Sequence, residues 1–148
     1  MEIGSPGIQG GTVTVADLAF LSRSRLTNQQ ANVPLTTLTT PPADGDYLFF
    51  AVIRVIQAAT TSSTLPQVQI SFTDPDSGLT QNIFITAQNT ANILGGIGGI
   101  QTASQAFGCG AMFRCKSGVL VQYSTVGYAS VGATPMAYDV DVMAQGPF

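Results

Sequence analysis

The sequence predicts an all-β fold: an antiparallel β-sandwich or jelly roll of seven to eight strands, with an extended N-terminal arm. Three observations carry this expectation. Runs rich in β-branched and aromatic residues recur at short spacing, clusters of Gly, Pro, Asp and Ser separate them, and no amphipathic helical stretch of useful length lies between them. Short strands without crossover helices pair antiparallel. At 148 residues the chain suits one domain with a real core.

Residues 1–32 read as the arm and 33–148 as the sandwich domain. The arm opens on Gly4, Pro6, Gly7, Gly10 and Gly11 and closes on a run of Asn and Gln. Within it, 12–15 suits a short strand, while Val15, Leu18 and Leu21 fit one face of a helical turn, so helical and extended readings both stay open. Arg23 and Arg25 alternate with serines.

The first strand run is 33–40, ended by Pro41, Pro42 and an Asp44-Gly45 turn. The second, 47–58, is apolar on both faces, with Tyr47, Phe49, Ala51, Ile53 and Val55 on one and Leu48, Phe50, Val52 and Ile56 on the other. Arg54 is the exception. A strand apolar on both faces needs a cover on both, one of which a neighbouring subunit can provide. Val68, Ile70 and Phe72 alternate with polar residues, as a strand with one buried face does. Asp74-Pro75-Asp76-Ser77-Gly78 reads as a hairpin turn into a strand carrying Ile83 and Ile85. The Gly-rich 88–101 is a long loop, and 107–115, 119–126 and 137–144 complete the set, the last with Tyr138, Val140 and Val142 inward and Asp139 and Asp141 toward water.

Composition narrows the function. The chain is 45% hydrophobic but only 9% charged, against about 25% charged for an ordinary soluble protein. No stretch nears the roughly 18 consecutive apolar residues of a spanning helix, and the first residues lack the basic and apolar regions of a secretory signal, so no membrane partner is expected. Five Lys and Arg residues under a net charge of −3 do not make a phosphate-tracking stripe, so no nucleic-acid partner is expected either. A surface of Thr, Ser, Gln and Asn with so few charges suits burial against other subunits.

Histidine is absent, which removes the commonest general base, Ser-His and Cys-His pairs and His-ligated metals. Asp139 and Asp141 stand about 7 Å apart on one strand face, a separation a glycosidase pair uses, but no aromatic wall surrounds them and they read as solvated charges at a sheet edge. The Asp74 loop has Ile85 where a calcium loop needs its bidentate Glu, and Gly95-Gly96-Ile97-Gly98-Gly99 lacks the Lys-Ser of a phosphate loop. Cys109 and Cys115 lie about 20 Å apart on one strand and read as buried free thiols. No catalytic, cofactor or metal site is expected, and the chain reads as a non-enzyme. Arg23, Arg25, Phe49, Phe50 and Arg54 are the interface candidates; Ile97, Ile100 and Tyr128 are candidates for contacts at a loop tip.

The prolyl turn of 33–47, with Asp44-Gly45-Asp46-Tyr47, and the alternating Tyr138-Asp139-Val140-Asp141-Val142 together resemble small β-sandwich structural proteins of tailed bacteriophages, such as capsid decoration or head-fibre proteins. The resemblance covers roughly a third of the β domain. It implies a virion structural protein made in the host cytoplasm, a homo-oligomer expected to be a trimer, and the major capsid protein or another virion protein as partner. It implies no catalytic residue. A receptor- or carbohydrate-binding module of a phage tail or cell surface is the competing expectation.

Overall fold

A computed structural model describes residues 21–86 and 106–148. Among them are ten strands and no helix: β1 (Ser22–Gln29), β2 (Thr36–Thr39), β3 (Gly45–Gln57), β4 (Ser62–Thr64), β5 (Gln67–Thr73), β6 (Thr80–Phe84), β7 (Ala106–Cys115), β8 (Val121–Val126), β9 (Ala129–Val131) and β10 (Ala137–Gln145). Two four-stranded sheets, ordered β1-β10-β3-β7 and β2-β8-β5-β6, form the layers, and β4 pairs with β9 separately. Every ladder is antiparallel.

With β4 and β9 set aside, eight strands remain, and the first pairs with the last, the second with the next to last, and so inward to the β5–β6 hairpin. This nested pairing, split over two sheets, is the connectivity of a jelly roll. The all-β sandwich expectation therefore holds, with more strands than the seven or eight read from the sequence. The additions are β1, which occupies the C-terminal part of the expected arm, and the short β4–β9 pair. The part of the expected arm in residues 1–20 lies outside the described residues, as does the 88–101 loop.

Period-two patterning explains the layers. On β3, Tyr47, Phe49, Ala51, Ile53 and Val55 are buried and their alternates are not. On β10, Tyr138, Val140, Val142 and Ala144 point inward. The second sheet answers with Val68, Ile70 and Phe72 of β5 and Val121 and Tyr123 of β8. Phe113 of β7 stacks between Phe49, at 5.7 Å, and Phe72, at 5.0 Å, and such aromatic pairs contribute about 0.5–1.5 kcal/mol beyond area burial.

Tyrosine hydroxyls tie the layers together where a purely apolar core has no directionality. The Tyr138 hydroxyl donates to the Ala31 carbonyl at 2.8 Å and lies 2.8 Å from Thr125 Oγ1, which accepts from the Val33 amide at 2.7 Å. Tyr123 meets Ser24 of β1 at 2.7 Å. The Asp74–Gly78 turn closes the β5–β6 hairpin: Gly78 has φ of 70° and donates to the Asp74 carbonyl at 2.8 Å.

Candidate functional site

The inner faces are filled, so the chemistry available to a partner lies outside. The outer face of β3 reads Asp46, Leu48, Phe50, Val52, Arg54 along the strand. Register places β10 and β7 on either side of it: Met143 and Gly110 beside Phe50, Asp141 and Gly108 beside Val52, Asp139 beside Arg54 and Met112 beside Leu48. Beyond β10, β1 sets Arg23 beside Met143 and Arg25 beside Asp141.

At one end of this face a shallow basin of about 340 Å³ is lined by Arg23, Arg25, Arg54, Asp139 and Asp141 over an apolar floor of Val52 and Met143. Arg23 grips Asp141 through Nε, at 2.9 and 3.1 Å from the two carboxylate oxygens, and also through Nη2. Arg54 Nη2 donates to Asp139 Oδ2 at 2.7 Å, and the Asn28 amide donates to Oδ1 at 3.0 Å. Arg25 stands 3.9 Å from Asp139, too far for a hydrogen bond. Three of the five Lys and Arg residues of the chain thus meet two carboxylates, leaving one positive charge in excess.

Asp139 is 8% exposed. Burial pushes its carboxyl up, but the hydrogen bonds from Arg54 and Asn28 and the charges of Arg54 and Arg25 outweigh that and hold it below the ordinary carboxylate value. A general acid needs the opposite shift, so Asp139 does not suit the acid role in a glycosidase pair. The sequence reading of a solvated edge is corrected as well: β10 runs between β1 and β3, and its outward carboxylates are paired with arginines.

The middle of the face is apolar. The Phe50 ring lies over Gly108 and Gly110, where the Cβ of any other residue would sit 3.3 and 3.0 Å from the ring. Phe50 is 38% and Met112 56% exposed. Toward the other end, Asp46 neighbours Arg114, which pairs with Asp76 at 3.3 Å. Asp44, Asp46, Asp74 and Asp76 against Arg114 and Lys116 leave that end net negative.

Of the interface candidates, Arg23, Arg25, Arg54 and Phe50 come together on this face. Phe49 does not: it is fully buried and stacked on Phe113, because adjacent strand residues point to opposite faces. Of the loop-tip candidates, Ile97 and Ile100 lie outside the described residues. Tyr128 is half-buried, its hydroxyl donating to the Met136 carbonyl at 2.6 Å and its ring 5.8 Å from Tyr138. Cys115 is buried and free, whereas Cys109 is exposed, correcting the reading of two buried thiols. Burial pushes the Cys115 thiol up to about 12. Asp74 accepts from Ser77 Oγ at 2.8 Å and the Asp76 amide at 3.1 Å, so its oxygens serve the turn.

Asp46 and Met112 belong to this face without being singled out by the sequence. The alternation around Phe50 is the available signal for Asp46; nothing local shows that Met112 falls beside Leu48.

No protein-family model and no curated protein matches the chain. Among solved structures it is similar to the CBM22-1–GH10 modules of Clostridium thermocellum endo-1,4-β-D-xylanase 10B complexed with xylohexaose, at 11% identity and TM-score 0.39, over 87% of this chain and 29% of that one. This chain thus spans less than a third of the xylanase chain's length. It is also similar to a carbohydrate-binding module of Cellvibrio mixtus lichenase 5A in complex with cellotriose, at 12% identity and TM-score 0.31, over 88% and 91% of the two chains. A third likeness is to the tripod from the baseplate of bacteriophage Tuc2009, at 15% identity and TM-score 0.26, over 84% and 89%.

Proposed function

We propose that this chain is a non-enzymatic structural protein of a tailed-phage virion, a capsid decoration or stabilising module that self-associates and binds the capsid lattice. The observation that carries the reading is the outer face of the β1-β10-β3-β7 sheet, where an apolar centre of Leu48, Phe50, Val52, Met112 and Met143 runs into a basin of three arginines. Exposed apolar surface rimmed by polar groups is characteristic of protein interaction sites. The virion location rests on the sequence resemblance. Association as a homo-oligomer is supported by the low charge and this open face; the trimer is what the sequence resemblance implies.

The test is the mass of the full chain in solution by light scattering, beside a chain lacking 1–20, followed by co-sedimentation with capsids. The truncation stops before Ser22 because β1 begins there. An oligomer that also sediments with capsids supports the reading; a monomer at all concentrations overturns it.

A receptor- or carbohydrate-binding module is the second reading. It is favoured by the exposed Phe50 ring beside guanidinium and carboxylate groups, a pairing of apolar platform and planar hydrogen-bonding groups that suits a sugar. Glycan binding by a monomer, lost in Phe50→Ala, would select it.

A further inference from the structure

The outer face of the β1-β10-β3-β7 sheet is patterned to fit itself. Along β3 it runs acid, apolar, aromatic, apolar, base: Asp46, Leu48, Phe50, Val52, Arg54. This order reads as its own complement in reverse. We infer that two copies of the chain pair face to face through this sheet about a two-fold axis that lies between the sheets, perpendicular to the strands, and passes over Phe50. The inference deepens the proposed self-association and rests on it.

An isologous contact sets residue i against j and j against i. Reversing β3 about Phe50 brings Asp46 of each copy to Arg54 of the other and Leu48 to Val52. The same operation acts on the flanking strand β7, whose register with β3 is fixed: Met112 lies level with Leu48 and Gly108 with Val52. Met112 of each copy then projects toward Gly108 of the other, where no side chain stands and the Phe50 ring offers a surface for its sulfur. On β10, Met143 is level with Phe50 and meets its own copy.

The charges agree with this placement. On the outer face of β3, Arg54 stands at one end and Asp46 at the other. Reversal lays Arg54 on Asp46 at both ends of β3; β1 and β7 lie over their own copies, so Arg23 meets Arg23 with its charge already paired to Asp141, and Arg25 and Arg114 do not face each other. Groups with free capacity sit where they are needed. The Asp46 carboxylate makes neither an ion pair nor a hydrogen bond among the described residues, and Arg54 uses one nitrogen. Four strands of this length present ~600 Å² of face, so a pair buries ~1,200 Å², within the range of specific interfaces. Sheets packed this way cross at about 30°, an offset at the strand ends that an arginine side chain can span.

The experiment is light scattering on the full chain across a concentration series under reducing conditions, with near-ultraviolet circular dichroism confirming that each variant is folded. The expected species is a dimer, in place of the trimer that the sequence resemblance implies. Phe50→Glu, which places two carboxylates on the axis, is expected to make it monomeric, and Asp46→Lys, facing Arg54 of the other copy, to weaken it at least ~10-fold. Combining Asp46→Lys with Arg54→Glu is expected to recover association to within ~3-fold, as a coupled pair does. If Arg54→Glu fails to fold because Asp139 loses its partner, Asp46→Lys and Phe50→Glu change exposed groups alone and decide the matter. A trimer, or a dimer indifferent to both, overturns this pairing and leaves the proposed structural role standing. A monomer throughout overturns both.

Discussion

Tyr138 shows how single polar atoms fix this core. Its hydroxyl joins β10 to Thr125 of β8 and to the Ala31 carbonyl. Tyr138→Phe leaves buried partners unsatisfied and is expected to cost about 1–3 kcal/mol in urea denaturation; Tyr123→Phe, which loses one half-buried bond to Ser24, is expected to cost less. Asp139 sets an acid limb. Its carboxyl lies below its unfolded value in the folded chain, so its contribution is present above about pH 4 and is lost as pH falls through the lower folded value. Asp139→Asn is expected to lower the urea midpoint at pH 7 and to flatten its decline below about pH 4. The cysteines differ for the opposite reason. Burial holds the Cys115 thiol protonated while Cys109 is exposed, so a thiol reagent at about pH 8 is expected to label one cysteine per folded chain and two after unfolding. The separation of the two along a strand is legible in the sequence; the exposure of one is not, because it depends on which strand reaches across.

Among the elements, β3 and β10 are the most legible, since period-two alternation names both of their faces without knowledge of any neighbour. Their partners are invisible. Asp141 meets Arg23 and Asp139 meets Arg54 across 118 and 85 residues, and only the sheet order reveals that β10 is central. β1 falls in the expected arm because its inward positions are Ser22, Ser24 and Leu26 rather than three apolar residues. Those serines face the second sheet as hydrogen-bonding groups, Ser24 to Tyr123 and Ser22 to the Leu38 carbonyl, so the polar inward face is a tie between layers and not a sign of an arm. Removing residues 1–29 deletes β1, opens an edge on β10 and leaves Asp141 without Arg23. Such a chain is expected to aggregate and to lose its near-ultraviolet circular dichroism, whereas a chain lacking 1–20 keeps every described strand.

At the scale of the molecule the nested pairing makes nearly every ladder non-local, so loop closure must precede most stabilising contacts. Refolding after dilution from urea is expected on the millisecond-to-second scale of β-sandwiches, measured by stopped-flow tyrosine fluorescence. Overall class is readable because strand periodicity and turn residues are local properties; the outer face is not, because Phe50, Met112, Met143 and Arg25 come from four strands. The bond of β1 to β10 also bears on synthesis. Among the described residues β1 has β10 as its one ladder partner, and Gln145 is the last residue of β10. At about 5–20 residues per second a ribosome needs ~6–23 s between finishing β1 and finishing β10, and for that interval the earliest of these strands waits without its mate. The first sheet therefore closes only once β10 has been translated, and a pause anywhere in between prolongs the exposure of the Ser22–Gln29 segment.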